Sequence, residues 1–331
     1  MATNKENWLL SVVFSPDGKM LVLRSNDGIS MFSIHSSNGT KLKFNWEKKI
    51  EEAGPVIFSP DSKLVVCGEK KVGKEEYTVN FFDFEGSLIS SVDVSYKNYN
   101  REDYFARATS IAFSQNGEFF AIGNDKGGIG IYETKSLEVV DYKLDDSHCD
   151  HSSIKKILFL VENLFVVKDS YLQIWKLANR KLGSVYDFYI NNSELFHDVQ
   201  VLDCIGSDVL VVTGDGVIYL LNKSSKKRGC EYNVSVRGKF PNSIYSASFF
   251  RRNTCGLLAY CYNSGFSSRD SSGYSTGLGV FYVDKKFSLK PLHSLGFSQE
   301  LSKDELSRQG KFRVMSKTSG GFTVFCDESP S

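Results

Sequence analysis

The cassette Phe14-Ser-Pro-Asp-Gly18 recurs as Phe58-Ser-Pro-Asp-Ser62 and Phe113-Ser-Gln-Asn-Gly117, and this recurrence limits the fold more than any other feature of the chain. Each copy is followed by a short apolar run: Met20-Leu-Val-Leu23, Leu64-Val-Val-Cys67 and Phe119-Phe-Ala-Ile122. The first then reaches a turn at Asn26-Asp-Gly28 and a second run, Ile29-Ser-Met-Phe32. Degenerate copies begin near Phe159, Cys204 and Phe249. A weaker one runs from Phe312-Arg-Val-Met315 through Gly320-Gly321 to Phe322-Thr-Val-Phe325. Starts at 14, 58, 113, 159, 204 and 249 lie 44, 55, 46, 45 and 45 residues apart. Alternation of apolar and polar residues within each copy predicts strands with one buried face. Pro-Asp-Gly, Asn-Asp-Gly, Asp-Lys-Gly-Gly at 125–128 and Gly-Asp-Gly at 214–216 supply the positive φ angles of tight hairpins. A repeat that cannot bury its own faces must stack on its neighbours.

A spacing of roughly 40–45 residues is that of a four-stranded propeller blade, and an aromatic content of 13% suits strands. No long amphipathic stretch of helical period stands out; the polar Ser302-Lys-Asp-Glu-Leu-Ser307 is the one candidate for a short helical turn. At these residues the chain resembles the WD40 propellers. Leu172-Gln-Ile-Trp-Lys-Leu177 stands where that family ends a repeat in Trp-Asp, with Lys176 in place of the aspartate. Asp27, Asp125 and Asp215 match the family's structural aspartate in the turn between the second and third strands. The Gly-His pair that opens a typical repeat is missing. The expected fold is all-β, a single domain over 1–331 built as a seven-bladed WD40-like β-propeller. Its blades are expected to start near 8, 54, 108, 154, 199, 244 and 291. Trp8–Phe14 reads as the inner strand of blade one, preceded only by the polar stretch 1–7, and Phe325 falls in what reads as a third strand. The last blade is therefore expected to close incompletely, either three-stranded or completed by a partner's strand. The alternative is that residues 2–7 pair as a short outer strand.

The resemblance implies that the loops joining one blade to the next, and strands two to three, share one face, here called the top. The other hairpin loops share the bottom. The top receives the connector 96–107, whose Tyr96, Tyr99, Arg101, Tyr104, Phe105 and Arg107 form a candidate protein interface, since Tyr and Arg are enriched at hot spots. The competing reading is that these aromatics only cover a blade edge. Glu69–Glu76 and the Ser/Gly-rich Asn263–Gly277, read as a loop, join the same face. The bottom receives Lys226, Lys227 and Arg228 beside Lys223, then Arg251, Arg252, Lys285 and Lys286. That candidate patch suits an acidic protein segment, RNA or anionic lipid, against the simpler reading of solvated hairpin charges. Val236-Arg237-Gly238 is similar to the Arg-Arg-Gly signature of phosphoinositide-binding propellers, with Val236 replacing its first arginine.

Catalytic chemistry is not expected. His148-Cys149-Asp150-His151 is the one dense group of metal-ligand types, but no second pair follows at a fixed spacing. A structural histidine opening blade four is the simpler reading. No Walker loop, nucleophile elbow, HExxH or paired-carboxylate motif occurs. Gly127-Gly128-Ile129-Gly130 falls in a strand–strand turn, which offers phosphate no helix N-terminus. No cofactor or metal is expected. Seven cysteines, an odd number without a CxxC pair, read as reduced thiols. Met1–Asn7 has no apolar run behind a basic start, so no signal peptide is expected and the chain is expected in the cytoplasm or nucleus. No run approaches the ~18 apolar residues of a transmembrane segment. Forty basic against 39 acidic residues give a net charge of +1, which does not nominate nucleic acid globally. The functional expectation is a non-catalytic protein-interaction scaffold within a multiprotein assembly. The alternative is a basic-surface propeller that binds phosphoinositide membrane or RNA through the bottom of blades five and six, separable by its salt sensitivity.

Overall fold

A computed structural model describes residues 9–25, 27–35, 41–50, 52–71, 76–94, 106–144, 153–168, 172–188, 198–205, 207–223, 232–240, 244–252, 255–268, 271–283, 289–296, 312–317 and 321–326, with backbone alone from Tyr245 on. Every regular element among them is a strand. Sheet one runs β1 (Leu9–Phe14), β2 (Met20–Ser25), β3 (Gly28–His35) and β4 (Lys41–Lys49). Sheet two runs β5 (Val56–Phe58), β6 (Val65–Lys70), β7 (Tyr77–Phe82) and β8 (Leu88–Asp93). Sheet three is β9 (Ala108–Phe113), β10 (Phe119–Asn124), β11 (Gly128–Glu133) and β12 (Val139–Leu144). Sheet four is β13 (Lys156–Leu160), β14 (Asn163–Val167), β15 (Leu172–Ala178) and β16 (Lys181–Phe188). Sheet five is β17 (Val199–Ile205), β18 (Asp208–Thr213), β19 (Val217–Lys223) and β20 (Tyr232–Lys239). Sheet six is β21 (Ile244–Arg252), β22 (Cys255–Ser268), β23 (Ser271–Val283) and β24 (Leu289–Gly296), and β25 (Phe312–Lys317) pairs with β26 (Gly321–Cys326). In sheets one, two, three, five and six each strand pairs antiparallel with the next.

First strands thus begin at 9, 56, 108, 156, 199 and 244. The seventh start, expected near 291, is corrected. Pro291 lies inside β24, opposite Phe281, as part of the outer strand of sheet six. The register slips there, between Val280 and Phe281, so an imino acid without an N–H sits at an outer-strand bulge, a place where sheets tolerate it. The closure expectation turns on residues 2–7, which lie outside the described residues. The Ser302–Ser307 stretch also lies outside them.

Alternation predicts one buried face per strand, but the middle strands bury both. All five residues of β14 are buried, as are the last five of β7, β10 and β18. The cause is visible in sheet two. Val65, Cys67 and Phe82 pack with Val22, Met31 and Trp46 of sheet one. Val66, Val79 and Phe81 point the other way, onto Ala108, Ile111 and Phe120 of sheet three. A sheet between two others has no solvent side, so its central strands read as continuous apolar runs.

The cassettes make turns. Ser15 Oγ donates to Asp17 Oδ1 at 2.6 Å and accepts from Met20 N at 3.0 Å. Ser59 repeats this with Asp61 and Leu64, and Ser114 with Asn116 and Phe119. The same turns also join sheets, since Asp17 N donates to Ser62 Oγ at 3.1 Å. Further from the turns, Ile157 N donates to Ser110 Oγ at 2.9 Å, and Leu182 N to Asp141 Oδ2 at 2.7 Å. Trp46 Nε1 donates to Phe84 O at 2.7 Å.

One irregularity recurs. In sheets one, two, three, five and six the pairing of third and fourth strands slips beside an aromatic residue: Phe32, Phe82, Tyr132, Tyr219 and Phe281. Opposite stand Phe44, Leu88, Val139, Val236 and Pro291. A bulge adds right-handed twist to the strand that carries it. The backbone groups into two compact units, one of Met1–Leu164, Lys176–Gly183 and Gly310–Ser331, the other of Phe165–Trp175 and Ser184–Gln309. Sheets one to three belong to the first, sheets five and six to the second, and the strands of sheet four are divided between them.

Gly86 and Gly18 both hold positive φ, +80° and +71°. A Cβ on Gly86 would stand 2.8 Å from the Trp46 ring, whereas one on Gly18 would meet nothing within 4 Å. Gly86→Ala should therefore cost about 2–4 kcal/mol, and Gly18→Ala only about 1 kcal/mol, in urea unfolding. Equal costs at the two positions would mean that the Trp46–Phe84 joint does not hold sheets one and two together.

Candidate functional site

Of the expected interface residues, Tyr96, Tyr99, Arg101, Tyr104 and Phe105 lie outside the described residues and Arg107 lies within them. Arg107 enters sheet three just before β9, and its main chain is held twice: Asp125 N donates to Arg107 O, and Arg107 N donates to Asp125 Oδ1, both at 3.0 Å. Its side chain is exposed. Among the three aspartates matched to the structural position, Asp125 thus clamps the lead-in of its own sheet. Asp215 instead accepts from Thr213 Oγ1 at 2.5 Å within its own turn, and the Asp27 carbonyl accepts from Ile50 N at 3.1 Å. Lys176, standing for the aspartate of Trp-Asp, pairs with Glu162 at 3.5 Å, while the neighbouring Trp175 is buried.

The corresponding end of sheets one and two carries a mixed-charge cluster. Arg24, at the end of β2, crosses to sheet two, where its Nη1 donates to Gly54 O at 2.7 Å and to Ala53 O at 3.5 Å. Its Nε is buried without a hydrogen-bond partner. Burial holds the guanidinium below the usual arginine range, with Cys67 opposing and the like charge of Arg107 adding to the shift. Gly54 N in turn donates to Gly68 O at 2.7 Å, and Gly68 N to Pro55 O at 3.0 Å. Burial pushes the Cys67 thiol up to about 12, only partly countered by Arg24. It also raises Glu69, whose Oε2 accepts from the buried Asn80 Nδ2. Around this cluster, Lys70 pairs with Glu52 at 3.7 Å, and Lys71 with Glu76 and Asp93 at 3.1 Å each. Those two acids hold Lys71 above its ordinary value. The arrangement holds donors and acceptors in fixed positions at this end of sheets one and two. Sequence reasoning missed Arg24, whereas Glu69 falls within the 69–76 stretch expected on the top face. The available signal for Arg24 was a charge ending an otherwise apolar second strand, Met20-Leu-Val-Leu-Arg24.

In the candidate anionic-partner patch, Lys226, Lys227, Arg228, Lys285 and Lys286 lie outside the described residues. Arg251 and Arg252 sit at the β21–β22 turn, opposite Gly256 and Cys255. Gly256 pairs with Val283 and Val283 with Leu289, so this turn shares its end of sheet six with the ends of β23 and β24. Val236-Arg237-Gly238 lies within β20, with Arg237 exposed at the bulge. His148 to His151 lie outside the described residues, within which no three His, Cys, Asp or Glu residues gather as metal ligands. The Asn263–Gly277 stretch, expected as a loop, is corrected to a ladder of strand pairs from Asn263–Thr276 to Ser268–Ser271. It continues beyond Ile244–Tyr262 and Gly277–Gly296, where β21 and β24 stop. Tyr274, Thr276 and Phe266 favour strands, and the serines and glycines between them were misread as loop formers.

Among the described residues no helix is long and apolar enough to cross a membrane. No protein-family model matches the chain, and no curated protein matches it.

Glu69 keeps its proton to higher pH in the folded chain than in the unfolded one. Folding stability therefore falls as pH rises through the window above the ordinary glutamate value. Glu69→Gln removes that loss and keeps an acceptor for Asn80. Its Tm should exceed that of the wild type at pH 8 and converge with it below about pH 4.3; parallel pH profiles would contradict the burial argument. The Cys67 thiol should resist alkylation by N-ethylmaleimide at pH 8 until denaturant is added, as read by mass spectrometry of its peptide.

Proposed function

We propose that the six sheets and the 312–326 hairpin are successive blades of a seven-bladed WD40-like propeller, a non-catalytic scaffold that binds partner proteins across the polar end of sheets one to three. The observation that carries this reading is the double main-chain clamp on Arg107. Asp125 fixes the backbone on both sides of an exposed arginine, so the side chain is presented without losing backbone order on binding. The burial of sheet two on both faces supports the stacked arrangement, and the Arg24–Gly54 contact supports a rigid surface beside the arginine. Arginine in such a setting is a typical interface anchor.

Affinity purification of the full chain, followed by mass spectrometry, tests the proposal. Wild type should retain a stoichiometric protein partner, and Arg107→Glu should lower its recovery by about thirtyfold, the scale of a hot-spot residue. Retention of the partner from low to moderate salt is expected of a packed protein interface. Recovery of RNA or anionic lipid that is lost on raising salt would favour the basic-surface reading instead. Recovery of no partner, or of one indifferent to Arg107→Glu, would overturn the proposal.

A further inference from the structure

The fourth strand of each sheet is its last, so among the described residues one edge of every such strand is unpaired. Edges of this kind attract other strands, and proteins blunt them with charge, proline or bulges. Here β4 carries Lys41, Lys43, Lys48 and Lys49; β12 carries Asp141 and Lys143; β20 carries Arg237 and Lys239; β24 carries Lys290 and Pro291. All four also carry the recurrent bulge. β8 differs. Its sequence is Leu-Ile-Ser-Ser-Val-Asp, uncharged until Asp93. Its bulge falls at Ile89 and leaves Leu88 and Ile89 each 57% exposed. From Ser90 to Asp93 the pairing with β7 is regular.

We infer that β8 is a docking edge, distinct from the Arg107 surface, for an extended apolar segment of a partner protein with basic residues at its ends. Val94 N donates to Tyr77 O at 2.9 Å, so by antiparallel alternation the N–H and C=O of Ser91 and Asp93 point away from β7. An added strand takes those groups as its hydrogen-bond partners. Small serines at 90 and 91 let its backbone approach, and its apolar side chains cover Leu88 and Ile89. Exposed acids at both ends, Glu85 and Asp93, set the preference for flanking cations, the one at Asp93 sharing that carboxylate with Lys71.

The test uses the full chain and a synthetic peptide, Lys-Thr-Val-Ser-Val-Thr-Val-Lys, with amide hydrogen exchange as the readout. The peptide should slow exchange at Ser91 and Asp93 by about tenfold and leave the β12 edge unchanged. The same peptide N-methylated at alternate residues should have no effect, because strand addition needs its N–H groups. Ile89→Lys, at an exposed site, should abolish protection while leaving the Tm unchanged. If that variant fails to fold, the N-methylated peptide decides alone. No slowing, or equal slowing along β12, would overturn the inference. Protection that appears without peptide and grows with protein concentration would also overturn it, by making a second copy of the chain the occupant.

Discussion

Burial of both faces of the same sheet is the constraint from which the architecture follows. Sheet two gives Val65, Cys67 and Phe82 to one neighbour and Val66, Val79 and Phe81 to the other. Neither half of that core exists without the adjoining sheet, so sheet two is not a folding unit by itself and its stability is a sum over its two joints. Aromatic contacts mark the joints. Phe81 and Phe120 meet edge-on at 5.3 Å across sheets two and three, and Trp46 lies 6.1 Å from Phe82 across sheets one and two. Such pairs add directional preference to a burial energy that has none.

Direction is also set by hydrogen bonds that cross from sheet to sheet. At one end of the sheets the Asp17 amide reaches Ser62; at the other, Arg24 reaches Gly54, and Ile154 N donates to Asn124 O at 3.0 Å. Arg24 is the costly member of this set. Its guanidinium is desolvated and one of its N–H groups has no partner, a configuration that burial alone disfavours. What it gains is two carbonyls of the connector that begins sheet two, so the arginine fixes that connector where a main-chain donor does the work elsewhere.

The periodic cassettes made the all-β class and the repetition of antiparallel sheets legible, because Ser-Pro-Asp-Gly encodes a turn through local hydrogen bonds that need no tertiary information. Ser15, Ser59 and Ser114 each make the same two contacts. Two-sided burial was not legible from alternation, since a strand between two sheets has no polar face to alternate with. The sixth sheet was misread for the opposite reason. Ser and Gly in 263–276 mark loops in isolation, yet here they pair across a long ladder. The mixed-charge cluster was half legible. Glu69 stood within the charged stretch 69–76, whereas Arg24 looks like an ordinary surface charge until the neighbouring sheet is placed beside it.

Main-chain pins also explain why the cassette fades along the chain while the sheets persist. In sheet five Gly214 N donates to Asp198 O at 2.8 Å, and Ile244 N, leading into sheet six, donates to Gly214 O at 2.6 Å. The Ile154–Asn124 bond between sheets three and four has the same form, a lead-in N–H given to the end of the preceding second strand. Bonds of this kind constrain backbone path and exclude proline at the donor, but they specify no side chain. Sequence at the sheet ends is then free to drift without loss of the connection. The same freedom lets charged side chains such as Arg107 and Lys71 stand at the ends of sheets two and three, since the connectors there are held by main-chain groups and by Asp125 and not by those side chains.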